Sequence, residues 1–418
     1  MPQTIFGAFL DAPTSDNGLA QMMSADASWI HLPFSWSAVE PQAGVRNWAV
    51  VSSFEKILRT ATSNQINIII YIQDTPGWAL KAGYTCGAVA QNKFPDLGRF
   101  LTDLVTRYSA PPFNVKYYEL WSEPEVSGFL GCWGDPSDLT YYGGGYYGEM
   151  LKMAYPVIKA ASPSAQVLFA GLLLDCNPAI CNDDVKKRSS RFLDGALLNG
   201  AGNFFDGVSF HAYDIYQLAL GQYYNPGWNA AWNTTGPVFL AKTAYLRQLL
   251  AQYHVSGKYL MNTELAVLCG RTGLEAPCVT DDHQNTLATY IVEGYATGIV
   301  DGLRANVWYS VGGWRGSALL DGSQKHLPAY TAFKNARTRL GTATYVRSIT
   351  EFTGIHGYEF TNAGHHIWVL WSVTAAGNPH TINLGSVPWA VYDLYGNSIS
   401  QSTSLNVGLE PVFVEFGS

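Results

Sequence analysis

The chain carries little charge. Asp, Glu, Lys and Arg together make 14% of its 418 residues, with a balance of −7. It has no run of basic residues, which argues against a nucleic-acid partner. No apolar run approaches the roughly 20 residues of a membrane span. Met1 to Leu10 contains neither a basic n-region nor a long h-region, so no signal peptide is visible. No zinc-type Cys-x-x-Cys occurs. Tyr141-Tyr142-Gly143-Gly144-Gly145-Tyr146-Tyr147 is glycine-rich, but it follows no strand and lacks the Lys-Ser/Thr of a phosphate cradle. It reads as a loop, either an aromatic cleft wall or plain surface. A metal-dependent hydrolase would need a His/Asp cluster at strand ends, where only His211 stands clearly. Neither metal nor other cofactor is therefore expected. No internal repeat stands out, and nothing in the sequence indicates an oligomeric state.

Apolar residues, by contrast, are abundant at 47%, which excludes disorder. Aromatics reach 14%, including 13 Trp and 25 Tyr. That excess fits either a generous aromatic core or surfaces on which sugar rings stack. The length exceeds the usual limit of a single core, so one large barrel with a small appended domain is expected. The six cysteines fall into suggestive places. Cys176 and Cys181 are close in sequence, as are Cys269 and Cys278, while Cys86 and Cys132 each follow a predicted strand. Three disulfides in these pairings imply an exported, extracellular protein. Its signal would then have been removed and Met1 added.

Short strand-like runs alternate with helical stretches. The strands are Thr4–Phe9, Ser28–Leu32, Asn67–Ile72, Val115–Trp121, Gln166–Ala170, Gly207–His211, Lys258–Asn262 and Ala305–Tyr309. Most are apolar on both faces, as parallel strands buried under helices are. Helical spacing marks Trp48–Thr62, Asp96–Tyr108, Tyr146–Ala161, Arg188–Leu198, Phe239–His254 and Asn285–Thr297. Eight β/α units spell an α/β fold of the (β/α)8 TIM-barrel type over residues 1–340. After Leu340 no helical stretch recurs. Tyr345–Thr350, Ile355–Phe360, His366–Val373, His380–Leu384, Ala390–Asp393 and Pro411–Glu415 alternate or run apolar between Gly, Asn and Ser turns. Residues 341–418 thus read as a small C-terminal antiparallel β-sandwich domain.

The chemistry is carried by two strands that end in glutamate. Tyr117-Tyr118-Glu119-Leu120-Trp121-Ser122-Glu123-Pro124 closes predicted strand four, and Tyr259-Leu260-Met261-Asn262-Thr263-Glu264 closes predicted strand seven. The C-terminal ends of barrel strands face one bowl, where such barrels do chemistry. Two carboxylates there can hydrolyse a glycosidic bond, one protonating the leaving oxygen and the other attacking the anomeric carbon or activating water. Glu119 lies deeper than Glu123, where a charge needs a partner, and Glu125 is expected to point into the loop after Pro124.

Several motifs, in this order along the chain, resemble clan A of the glycoside hydrolases, the retaining (β/α)8 enzymes. Leu32-Pro33-Phe34-Ser35-Trp36 with Glu40-Pro41 is similar to their second strand and its loop, and Thr75-Pro76-Gly77-Trp78-Ala79 to the loop after strand three. Trp121-Ser122-Glu123-Pro124 resembles the acid/base strand, usually Trp-Asn-Glu-Pro. His211-Ala212-Tyr213 resembles strand six, Thr263-Glu264 the nucleophile strand, and Leu320-Asp321-Gly322 through Tyr330 the stretch after strand eight. The layout is most similar to families 39 and 5, over residues 4 to 336. The resemblance implies that Glu123 is the acid/base, that Glu264 is the nucleophile and that Tyr213 hydrogen-bonds the nucleophile. It implies that His211 lines the site near the acid/base and that Trp308 forms the aromatic floor. Trp36, Trp78, Trp133 and Trp314 are its candidate subsite walls.

Two positions depart from the pattern. Ser122 replaces the Asn that grips the sugar 2-hydroxyl, and a serine hydroxyl reaches less far. His31 stands where an Arg usually supports the nucleophile, and a histidine holds its charge less constantly. Both carboxylates remain, so the resemblance implies a retaining glycosidase acting on a poly- or oligosaccharide, with a lean toward endo action. A transglycosylase would use the same residues. A carbohydrate-binding protein with weakened catalysis is the alternative from another class.

Overall fold

The computed structural model describes residues 4–11, 18–128, 130–224, 232, 235–373 and 379–417, leaving Met1 outside. The first six strands are β1 (Phe6–Phe9), β2 (Trp29–Ser35), β3 (Asn67–Gln73), β4 (Tyr117–Ser122), β5 (Gln166–Leu172) and β6 (Gly207–Tyr216). A two-residue strand, β7 (Tyr223–Tyr224), folds back antiparallel on the end of β6. Two more barrel strands follow, β8 (Tyr259–Leu268) and β9 (Ala305–Trp308). β1 pairs with both β2 and β9, and β5 with β6, so eight parallel strands close on themselves. Alternation sends Trp29, Ile69, Tyr117, Leu168, Met261 and Val307 into the barrel. Their neighbours Ile30, Ile68, Ile70, Tyr118 and Phe210 pack against the helices.

The helices are α1 (Leu19–Ser24), α2 (Trp36–Val39), α3 (Ser52–Ser63), α4 (Phe94–Ser109), α5 (Gly144–Ala161), α6 (Asp184–Ser189), α7 (Phe192–Leu198), α8 (Phe239–Gln252), α9 (Asp281–Val300) and α10 (Pro328–Leu340). α4 shows why such segments are helical. Pro95 and Asp96 suit its first turn and Arg107 its last, and Leu97, Phe100, Leu101, Leu104, Val105 and Tyr108 form one buried stripe. Burying each of the larger apolar side chains contributes about 1.5–3 kcal/mol. The predicted helix Arg188–Leu198 is instead two helices, α6 and α7. The glycine-rich run is only partly a loop, because Gly144–Tyr147 open α5. The backbone of Gly144 packs so tightly on Phe192 that a Cβ would sit 1.9 Å from its carbonyl oxygen.

Beyond α10 the chain forms β10 (Thr344–Ser348), β11 (Ile355–Asn362), β12 (His365–Ser372), β13 (His380–Asn383), β14 (Ala390–Tyr392), β15 (Ser398–Ile399), β16 (Ser404–Val407) and β17 (Val412–Phe416). Six of them make a sheet in the order β10-β11-β12-β17-β14-β15, and β13 pairs with β16. Ile355, Leu370, Ile382, Leu405, Val407 and Val414 fill the space between the two sheets. The other face, through Tyr358, Phe360, Val369 and Phe413, joins the core that surrounds the barrel. Arg339 of α10 pairs with Glu415, Asn335 donates to the carbonyls of Asp393 and Leu394, and Tyr395 donates to Asn285 of α9. Among the described residues no helix is long and apolar enough to cross a membrane.

Candidate active site

β4 ends irregularly. Trp121 and Glu123 both adopt left-handed backbone conformations, at φ 66° and 48°. Such a conformation costs an ordinary residue about 1–2 kcal/mol, so neighbours must hold it. Glu123 N donates to the Gly171 carbonyl of β5 at 2.7 Å, and Trp133 N and Gly134 N both donate to the Pro124 carbonyl, at 2.9 and 2.8 Å. The returning loop passes so close at Gly131 that a Cβ there would lie 2.3 Å from the Ser122 carbonyl oxygen. The Cys86–Cys132 disulfide ties this loop to the one after β3. Cys176–Cys181 and Cys269–Cys278 are also joined, so all three expected disulfides are present.

β8 delivers the second carboxylate by a different device. The strand does not stop at Glu264 but continues to Leu268. Asn262 stands opposite Phe210 and Glu264 opposite His211, which leaves Thr263 as an extra residue. Met261 faces the barrel interior, and Asn262 meets Asn306 at 2.9 Å on the helix side. Strict alternation would send Glu264 to the helix side too. The bulge at Thr263 turns it inward beside His211.

Glu123, His211 and Glu264 therefore converge, each contributing one oxygen or nitrogen within 4.8 Å of the others. His211 Nδ1 lies 2.8 Å from Glu123 Oε1 and 3.3 Å from Glu264 Oε2. The ring crosses over Gly171, where a Cβ would lie 2.3 Å from Nε2. Burial holds the His211 pKa down to about 3, although Glu119 pulls the other way, so the imidazole is neutral. Burial raises Glu123 to about 8, with Lys242 opposing and Asp175 assisting. Glu264 is pushed above the usual carboxylate range by burial and then by the charge of Glu123. The Tyr213 hydroxyl donates to Glu264 Oε2. Two buried carboxylates this close titrate as a pair. The same three side chains have the ligand types to hold a cation.

The cleft above the pair has a volume of ≈ 840 Å³. Ser122, Tyr213 and Trp314 line it with the two glutamates. His211 is fully buried behind the two glutamates and does not itself line the cleft. Five expectations need correction. Trp308 is not the floor: it is fully buried toward the helices, with its indole N–H donating to the Ser317 carbonyl, and the next residue, Tyr309, lines the cleft instead. Trp36 is also fully buried, stacked on Phe100 and bonded to Glu40, so it is not a subsite wall. Its position at the start of α2 turns the ring back onto α4. Trp133 is packed edge-on against Trp121, and Trp78 bonds the Glu40 carbonyl outside the cleft. His31 lies below the site, fully buried, with Nε2 at 3.5 Å from Glu119 rather than at the nucleophile.

Glu119 thus faces His31, but among the described residues neither of its carboxylate oxygens accepts a hydrogen bond. Burial alone would raise its pKa, but His31 and then His211 bring it below the ordinary value. Glu125 does not face the loop. It is buried, its Oε1 accepts from Leu174 N at 3.0 Å, and burial lifts it to about 8. Sequence reasoning also missed Lys242. Its Nζ donates at 2.7 Å to the carbonyls of both Leu173 and His211, linking the ends of β5 and β6 beneath Glu123. A lysine on a helical stretch gives no sign that it turns inward. Tyr71, Asp74, Asp175, Arg271 and Arg315 complete the charged and aromatic lining, mostly from loops whose course local sequence does not reveal.

The barrel and its C-terminal sheets have the fold of clan A glycoside hydrolases. A family 39 glycoside hydrolase from the gut symbiont Bacteroides cellulosilyticus WH2 superposes with a TM-score of 0.73 at 17% identity, covering 98% of this chain and 80% of that one. A family 30 endoxylanase from Clostridium papyrosolvens C71 gives 0.64 at 12% identity, covering 100% and 97%. A monomeric beta-xylosidase from Caulobacter crescentus CB15 gives 0.64 at 14% identity, covering 99% and 96%. No family model and no curated protein matches the sequence.

Proposed function

We propose that the chain is a retaining glycoside hydrolase that cleaves O-glycosidic bonds of a poly- or oligosaccharide, with Glu264 as nucleophile and Glu123 as acid/base. The observation that carries this reading is the convergence of the two carboxylates within 4.8 Å at the base of the cleft. Retaining sites hold their carboxyl groups about 5–5.5 Å apart, because the nucleophile itself must touch the anomeric carbon. Inverting sites leave about 6.5–9.5 Å, enough for a water. The family 39 glycoside hydrolase, the endoxylanase and the beta-xylosidase that share this fold support the same class. A cleft in the upper part of the roughly 300–1,000 Å³ range of ligand sites suits several sugar units better than one.

In the first step the Glu264 carboxylate attacks the anomeric carbon while Glu123 gives its proton to the departing oxygen. Burial and the charge of Glu123 favour a proton on Glu264, the Tyr213 hydroxyl opposes them, and the first step runs from the state in which the shared proton is on Glu123. Once Glu264 is an ester its charge is gone, the Glu123 pKa falls, and Glu123 takes a proton from the water that releases the sugar. Ser122 presents its hydroxyl to the sugar, and Tyr309 and Trp314 offer ring faces. Residues 1–340 would carry the chemistry and residues 341–418 would support the barrel from outside. Three disulfides support an exported protein. Digestion of a glycan panel with product masses tests the reading. Cleavage of an O-glycan supports it, and intact glycans throughout count against it. An added acceptor sugar separates hydrolysis from transfer.

Two expectations follow from the site's electrostatics. Glu123 must be protonated for the first step, and its pKa is about 8. Turnover should therefore fall as pH rises through about 8, and a kcat/KM profile would show it as the basic limb. A profile flat to pH 10 would remove Glu123 from the acid role. The Glu123, His211 and Glu264 cluster should also work without a cation, since all three atoms are engaged with one another and the proposed steps need none. Activity after exhaustive chelation should match the untreated protein. Loss on chelation with recovery on adding a divalent ion would reverse this.

A further inference from the structure

We infer that the cleft contains an anion subsite, formed by Arg271 and Arg315, that takes a carboxylate or sulfate group carried by the glycan next to the cleaved bond. This rests on the glycosidase reading for its substrate but on separate residues for its case. The chain is acidic overall, at −7, and Asp74, Asp175, Glu123 and Glu264 dominate the charged lining of the cleft. Against that background both cations in the lining, Arg271 and Arg315, stand on the two loops that follow β8 and β9.

These loops are built to hold them. The Cys269–Cys278 disulfide closes the first loop. Within it, the Glu275 carboxylate accepts from the backbone N–H groups of Arg271, Thr272 and Gly273, at 2.8, 3.1 and 2.9 Å. That acid is thus anchored in its ionised form by backbone donors, and its charge also favours that of Arg315. The second loop is stitched to the first, since Arg315 Nε donates to the Gly270 carbonyl at 2.6 Å and Cys269 N donates to the Arg315 carbonyl at 2.9 Å. The backbones touch at Gly273, where a Cβ would sit 2.1 Å from Gly316 N. The Arg315 guanidinium sits on the carbonyl of Gly270, the residue before Arg271; burial disfavours its charge, Glu275 favours it and Arg271 disfavours it. Among the described residues the Arg271 side chain is exposed and makes no hydrogen bond or ion pair. One carboxylate, Glu275, faces two cations here, and an anionic ligand at the exposed Arg271 would balance the second.

The position relative to the chemistry follows from the rings. The Arg315 guanidinium lies 5.5 Å over Trp314, whose ring is 5.8 Å from Tyr213, and Tyr213 bonds Glu264. Arg315 is therefore linked to the nucleophile through two aromatic rings, on the β8–β9 side of the cleft. Asp74 and Asp175 line the same cleft from the loops after β3 and β5. An acidic glycan would be repelled there and drawn toward the arginines. Guanidinium forks match carboxylate and sulfate oxygens in pairs.

The test is binding by calorimetry to the Glu264→Gln protein, so that cleavage does not intervene. The probes are oligosaccharides from glucuronoxylan, polygalacturonate and chondroitin sulfate, each native and carboxyl-reduced, the last also desulfated. At least one native form should bind about tenfold more tightly than its neutralised counterpart, the scale of one charge-assisted contact. Carboxyl reduction and desulfation then identify which anion is used. Arg271→Gln in the same background should bring the acidic-to-neutral ratio close to one, and Arg271→Lys should keep part of it. Equal affinity for acidic and neutral forms, no binding of any acidic probe, or a preference that survives Arg271→Gln would each overturn the subsite. Wild-type cleavage is measured alongside. Acid-selective binding without cleavage leaves the subsite standing and sinks the glycosidase reading, while cleavage of neutral glycans without acid preference does the reverse.

Discussion

Glu264→Gln is expected to lower turnover by on the order of 10⁴-fold or more while leaving the fold intact. The amide is nearly isosteric with the carboxylate, and its oxygen can still accept from the Tyr213 hydroxyl. It cannot form the glycosyl ester. The loss should fall on kcat, because the missing interaction belongs to the transition state and the intermediate. Stability should hold or rise. Wild-type Glu264 is buried beside Glu123, and both burial and that neighbour make its charge costly. Turnover, circular dichroism and thermal midpoint measured together separate the two effects. Substantial activity in a clean preparation would place the nucleophile elsewhere, and a collapsed fold would make Glu264 a structural residue.

Glu123→Ala is expected to act selectively. Substrates with poor leaving groups should lose on the order of 10²–10⁴-fold, the usual share of general acid catalysis. Aryl glycosides whose phenol departs without a proton should lose far less in the first step. Their limiting step becomes release of the ester, which lacks a base to activate water. Azide needs no such base, so it should restore part of the turnover and yield a glycosyl azide of retained configuration. Glu125, also raised to about 8, is tied to Leu174 N at 3.0 Å. Equal loss on both substrate types with no azide effect would show that Glu123 holds structure only.

The barrel was legible because its strands are short apolar runs, most of them separated by a helical period, although α1 and α10 went unseen, and the C-terminal sheets because their strands alternate or run apolar between turns. β15 and β16 were missed, being two and four residues long with mixed patterns. Glu123 and Glu264 could be picked out because each follows a strand-like run. Their routes into the cleft could not, since left-handed Trp121 and Glu123 and the bulge at Thr263 are fixed by neighbouring strands. Trp308 illustrates the same limit. β9 pairs with β8 through a register shift, so the side chain that reaches the cleft is Tyr309, one residue later. Trp36, Trp133 and His31 belong to the core, which absorbs much of the aromatic excess. The disulfides were legible from sequence proximity in two cases and from loop position in the third. Arg271 and Arg315 were invisible because only the folded loops bring them together.

The most direct measurement is proton magnetic resonance of the first product released from a susceptible glycan, read before mutarotation. Double displacement through Glu264 inverts the anomeric carbon twice, so the first anomer formed should match the configuration of the bond cleaved. A first product of opposite configuration would require a water poised between one carboxylate and the sugar, for which inverting sites leave about 6.5–9.5 Å, and would contradict both the roles of Glu123 and Glu264 and the retaining mechanism.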